Sequence, residues 1–151
     1  MVQNSHIAYV IGQLNNIWGI FAQFFHIAGL ILVLLSVVLV SLRLLGFGLL
    51  AQSAVQLAYL TRSWILVGLI FLAASGLFML IPSASLYYPN PALWFKFSAL
   101  AVALVVQFGL SRYVLKQEHP RKLYAVSYAL ISLTLWFVVG LAGRAIGFMA
   151  A

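Results

Sequence analysis

Three residues inside long apolar runs have side chains that can do chemistry: His26, Met79 and Lys96, an imidazole, a thioether and an ammonium. A fourth, Arg144, stands at the end of the last run. Their spacing from the basic residues at the far ends of the same runs is nearly constant. His26 is 17 residues before Arg43, Met79 is 17 after Arg62, and Lys96 is 16 before Arg112. At a helical rise of about 1.5 Å per residue, each lies ~24–26 Å from its cation. The three therefore fall in one layer. Arg144 is 22 residues from Lys122, or ~33 Å, and reaches the surface beyond that layer. An ionisable residue at membrane depth is a functional hypothesis by default, because burying its charge is expensive.

Several chemistries can use such a layer. A haem b iron could take one axial bond from His26 and a second from Met79, or from Met149 or His6 approaching from the same side, with Lys96 and Arg144 pairing the propionates. A quinone carbonyl or a lipid phosphate could accept hydrogen bonds from His26 and Lys96. Copper could be held by His26 with Met79 or Met149, a mixed nitrogen and sulfur donor set. The plainer readings stand beside these. His26 can be a structural histidine bonded to Gln23 or to a backbone carbonyl. Lys96 can snorkel to the headgroups, Met79 can be packing, and Arg144 can be an interfacial anchor. No catalytic residue is assigned: the spans hold no carboxylate, and no Ser/His/Asp set can be assembled.

The elements that must position these residues are four apolar stretches, at about 17–42, 64–81, 92–110 and 123–143. A hydrocarbon core of ~30 Å needs about 20 helical residues, and all four qualify. The first is expected to be a span rather than a cleavable signal, since it is long and no basic segment precedes it. Leu-Gly-Phe-Gly at 45–48, Pro82 and the Tyr87-Tyr88-Pro89-Asn90-Pro91 turn separate the runs, with Pro91 suited to a first helical position. Residues 5–15 and 49–60 are half-polar and read as short interfacial helices. Trp18, Tyr87, Tyr88 and Trp94 form an aromatic belt, and His6 and His119 lie outside the spans. On the first span His26 shares a face with Ala22, Gln23, Gly29 and Val33. On the second, Met79 aligns with Gly68, Ser75 and Gly76; on the third, Lys96 aligns with Ala99, Ala103 and Gln107. Small and polar residues mark helix contacts in membranes, so the layer is expected to point inward.

Composition sets the class. Of 151 residues 66% are hydrophobic and 6% charged, against roughly 25% charged in a soluble domain. Mean hydropathy is +1.15. A soluble globular domain and a disordered chain are both excluded. The absence of cysteine excludes disulfides, thiolate zinc sites and iron–sulfur clusters. The net charge of +7 comes from eight basic residues against the single acid Glu118, scattered at span ends, so nucleic acid is not expected as a partner. The loops after the first and third spans carry Arg43, Arg62, Arg112, Lys116, Arg121 and Lys122, six cations against two, Lys96 and Arg144, on the other side. The positive-inside rule places the six in the cytoplasm and both termini outside, in the periplasm of a Gram-negative cell.

A resemblance then becomes visible. His26-Ile-Ala-Gly-Leu, Ser41-Leu-Arg-Leu-Leu-Gly46, Arg62-Ser-Trp64, Ser75-Gly76-Leu-Phe78, Asn90-Pro-Ala-Leu-Trp-Phe-Lys96 and Gly143-Arg144-Ala-Ile-Gly-Phe148 resemble the motifs of small bacterial four-span proteins catalogued as a domain of unknown function. The resemblance runs from about Ile17 to Phe148. Ser41 stands where that group usually has Asp, which removes the acid of an acid–arginine pair at that face. The group is distantly similar to copper-resistance D-type membrane proteins, a likeness of fold only. It implies a bacterial inner-membrane protein in which His26, Lys96 and Arg144 belong to the motifs.

The expectation is an all-α, single-domain, four-helix transmembrane bundle over 1–151. Its first functional reading is a non-catalytic subunit or scaffold in the lipid bilayer, associated with itself or with another membrane protein. Its second is a haem- or quinone-binding electron-transfer protein with a periplasmic-side site around His26.

Overall fold

The long apolar runs are rich in Leu, Ile, Val, Phe and Ala and contain no acidic residue. In hydrocarbon a chain must satisfy its own N–H and C=O groups, and a helix does so within one segment. The computed structural model describes residues 16–48, 51–112 and 121–149, and among these it is helical with no strand. The helices are α1 (Asn16–Leu45), α2 (Ala54–Leu80), the one-turn α3 (Ala84–Tyr87), α4 (Pro91–Val105) and α5 (Lys122–Met149). A π-helical stretch, Val106–Leu110, prolongs α4. α1, α2, α5 and α4 with its π-helical extension are each long and apolar enough to cross a membrane. The protein is an all-α four-helix membrane bundle.

Local chemistry fixes the helix ends. α1 stops at a Schellman turn: Gly46 takes φ +84°, its N–H bonds the Arg43 carbonyl at 3.2 Å, and the Phe47 N–H bonds the Leu42 carbonyl at 2.8 Å. That left-handed backbone suits glycine because it has no Cβ. Arg43 Nε then donates to the Gln52 carbonyl at 2.5 Å, tying the end of α1 to the start of α2. Ser53 caps α2, accepting from the Gln56 N–H at 3.1 Å. α2 therefore begins ten residues before the apolar run at Trp64, and residues 54–60 are its first turns, not a separate interfacial helix. The expected helix at 5–15 lies outside the described residues. Asn90 caps α4 by accepting from the Ala92 N–H at 2.9 Å, with Pro91 in the first turn.

α1 is the hub. It packs against α2 on one side and α5 on the other, and α5 holds α4. The α1–α2 crossing is a backbone contact. A Cβ on Gly29 would lie 2.7 Å from the Gly68 carbonyl oxygen, and one on Gly68 2.7 Å from that of Gly29. Only two glycines let the helices approach so closely. Val33, Val37, Ala103, Trp136 and Val139 form the core around α1, α4 and α5. Small residues serve the internal packing of α4 and α5: Ala103, Ala125 and Ala129 are buried and Ala99 packs against the core.

Candidate functional site

His26 sits on α1 one turn before the Gly29 crossing. The close approach there brings the imidazole against α2, where a Cβ on Gly76 would lie 3.3 Å from His26 Cε1. Its Nδ1 is 2.9 Å from Ser75 Oγ. The Ser75 hydroxyl donates in turn to the Phe71 carbonyl of its own helix. Because the serine proton is committed there, Ser75 Oγ accepts from His26 Nδ1–H. The Leu72 carbonyl is a further acceptor close to the ring. Neutral His26 is then the Nδ1–H tautomer, and its Nε2 carries a free lone pair. A histidine whose second nitrogen is fixed in this way is pre-oriented as a ligand or hydrogen-bond acceptor. Phe25 and Phe71 meet edge to face beside this level, with ring centroids 5.4 Å apart.

Lys96 reaches the same layer from the opposite side. Asn90 Nδ2 donates to the Ile146 carbonyl at 3.2 Å, fastening the start of α4 to the last turns of α5. In that register the Lys96 side chain lies across Gly143, whose added Cβ would be 3.3 Å from Nζ. Leu30 meets Gly140 of α5 at 3.7 Å from where its Cβ would be. One turn further along both helices, α1 presents His26 and α5 presents Gly143 with Lys96 on it. The ammonium acts electrostatically on the imidazole. Among the described residues no hydrogen bond or ion pair holds Lys96 Nζ, and the chain's single acid, Glu118, lies outside them.

The other expected members are placed differently. Met79 is 42% exposed, on the outer surface of α2, so the expectation that it points inward does not hold. Arg144 is exposed on α5, and Gln23 is exposed rather than paired with His26. The His6 alternative and the Met149 side chain lie outside the description. Among the described residues no group of three or more His, Cys, Asp or Glu side chains is gathered that could hold a metal ion.

A second polar cluster, not singled out from the sequence, lies at the opposite end. Ser132 Oγ donates to Gln107 Oε1 at 3.3 Å, and Ser111 donates to the Gln107 carbonyl. The Tyr128 hydroxyl sits among Gln107, Ser111 and Ser132. Gln107, Ser111 and Tyr128 edge a crevice of about 250 Å³ between α2 and the π-helical end of α4, whose lining includes Arg62 and Arg112. The signal was the pair of polar residues four apart on each of two helices, Gln107/Ser111 and Tyr128/Ser132, which puts both pairs on single helical faces. A second recess, lined by Pro91, Phe95, Leu141 and Ala145 among others, is apolar. Neither recess is lined by His26 or Lys96, so a ligand on that layer would sit where the two half-buried side chains emerge at the bundle surface.

No curated protein and no solved structure matches the chain. Four membrane-length helices that bring a serine-oriented histidine and a lysine without an acid among the described residues to one level are what the chain offers to a classification, and by its match over residues 1–149 it belongs to the family of unknown function DUF6644.

Proposed function

We propose that the protein is a non-catalytic integral membrane subunit that holds a quinone-class ligand at the His26–Lys96 layer. The observation that carries this reading is the Ser75–His26 hydrogen bond, which leaves Nε2 available at the level of an ammonium that no acid among the described residues neutralises. A quinone carbonyl would accept from Lys96, and the hydroxyl of its reduced form would donate to Nε2. The donor set favours this over haem or copper. His26 is the one histidine among the described residues, and Met79 faces outward. A copper ion held by His26 and Met79 would need both donors on one side, and the same exposure of Met79 counts against it. The six-to-two distribution of cations supports an inner-membrane protein with both termini in the periplasm and the His26 layer in the outer leaflet.

The test is extraction of the protein from its native membranes in mild detergent, with quinone quantified after solvent extraction and an absorption spectrum taken on the same sample. The expected result is about one quinone per chain, lost in both His26→Ala and Lys96→Ala, with no Soret band. A Soret band that disappears in His26→Ala would replace quinone by haem. Absence of both, with a membrane protein co-purifying in fixed ratio, would leave the scaffold reading. A reporter after Ala151 should be active in the periplasm, and one between Lys116 and Lys122 in the cytoplasm; the reverse would move the layer to the inner leaflet.

A further inference from the structure

The crevice at the far end of the bundle is built for a different ligand. Arg62 from α2 and Arg112 from the end of α4 flank it, both exposed, with Gln107, Ser111 and Tyr128 along one wall and Val40, Ile65 and Phe108 completing an apolar lining. Thr61, also on the lining, spends its hydroxyl on the Leu57 carbonyl at 2.9 Å, so it contributes its methyl rather than a donor. No acid among the described residues can neutralise the two arginines. Arg43 differs from them, since its Nε is already committed to the Gln52 carbonyl. Two guanidiniums without an acid among the described residues, a neighbouring phenol hydroxyl and an apolar lining at the membrane edge match a phosphate group carrying an acyl chain. Guanidinium binds phosphate through two parallel hydrogen bonds, and basic recesses between spans take anionic lipid head groups.

We propose that the α2–α4 crevice binds the phosphate of an anionic phospholipid, with Arg62 and Arg112 as the phosphate ligands and the Tyr128 hydroxyl as a neighbouring polar group. This site is independent of the His26 layer. It requires neither a quinone nor a fixed orientation, and either reading can fail alone.

The experiment compares wild type, Arg62→Gln/Arg112→Gln and Arg144→Gln in nanodiscs of neutral lipid doped with phosphatidylglycerol or cardiolipin, reading lipid retention by native mass spectrometry and thermal stability. Wild type and Arg144→Gln should retain anionic lipid. The double variant should lose about fivefold in retention for each arginine removed. Arg62→Lys/Arg112→Lys keeps the charge but not the paired donors, and should fall between the two without loss of fold. A parallel arm titrates inorganic phosphate alone. Saturable stabilisation of wild type by phosphate in neutral lipid, absent in the double variant, would support the phosphate site and make free phosphate its source. Equal loss in Arg144→Gln, or equal retention of anionic lipid by wild type and a folded double variant, would overturn the proposal.

Discussion

At the His26 end, α1 and α2 touch backbone to backbone at Gly29 and Gly68, and an imidazole is pinned by a serine 49 residues away. At the Arg62–Arg112 end, a crevice of about 250 Å³ opens between α2 and α4, edged by residues that bond mainly to one another. Both ends contain polar groups at membrane depth, yet they handle them oppositely. The first end pins its imidazole by an interhelical hydrogen bond made possible by absent side chains. The second uses a redundant cluster on α4 and α5, while Thr61 on the facing α2 bonds its own helix and Arg62 stays exposed. Close packing makes a polar bond specific; loose packing leaves donors available to something outside the chain.

The largest expected effect breaks the close end. Gly29→Leu would force a Cβ to 2.7 Å from the Gly68 carbonyl and 2.9 Å from Phe71 Cβ. It should cost about 3 kcal/mol or abolish the folded bundle, measured by unfolding in mixed micelles. Gly140→Ala meets only Leu30 at 3.7 Å, ordinary contact, and should change stability by under ~0.5 kcal/mol. If the two variants behave alike, the glycine crossing is not what closes that end.

Ser75→Ala should come next. It removes the Oγ that orients His26, at a cost of about 1 kcal/mol, since interhelical hydrogen bonds in membranes are modest. Its sharper signature is on the imidazole: nitrogen NMR should show the fixed tautomer of wild type replaced by a mixture. A single tautomer in both proteins would sink the proton assignment.

Tyr128→Phe tests the redundant end. Gln107, Ser111 and Ser132 can re-pair once the phenol hydroxyl is gone, so the loss should be about 0.6 kcal/mol or less. A larger loss than for Ser75→Ala would show that the cluster, not the glycine end, carries the specific bond.

The smallest effect is expected between the two ends. Trp136 is 0% exposed, and its indole N–H has no partner among the described residues. An unpaired buried donor costs about 1–3 kcal/mol, and the void left by the smaller ring of Phe costs on the order of 1 kcal/mol. Trp136→Phe should therefore be near neutral. A loss of several kcal/mol, or an indole proton resonance typical of a strong hydrogen bond in wild type, would reveal a partner.

Much of this was legible in the residues. Asn90-Pro91 announces a capped helix start, and Gly46 an abrupt stop. Ser53 with Gln56 three residues on is a capping-box spacing, which marks the start of α2 that hydropathy misses. Apolar runs report where lipid is, whereas a helix continues past them as long as its backbone bonds do. The depth of His26 and Lys96 follows from counting, but the partner of His26 does not. Gln23 is near in sequence and exposed, while Ser75 is far in sequence and in contact. Met79 shares most of its helical face with Ser75, and only the packing shows that one turn further on this face leaves the bundle.

The sequence by itself determined the class, the four spans, the asymmetry of charge and the level of each polar side chain, because hydrophobicity, helical rise and cation placement are properties of a single segment. The tertiary structure alone decided which glycines meet, which nitrogen of His26 is occupied, that Lys96 lies on Gly143 while Met79 faces outward, and that Arg62 and Arg112 flank one crevice. Each of those depends on the rotation and crossing of one helix against another. Those are set by where small side chains let two backbones touch, and no segment carries that information alone.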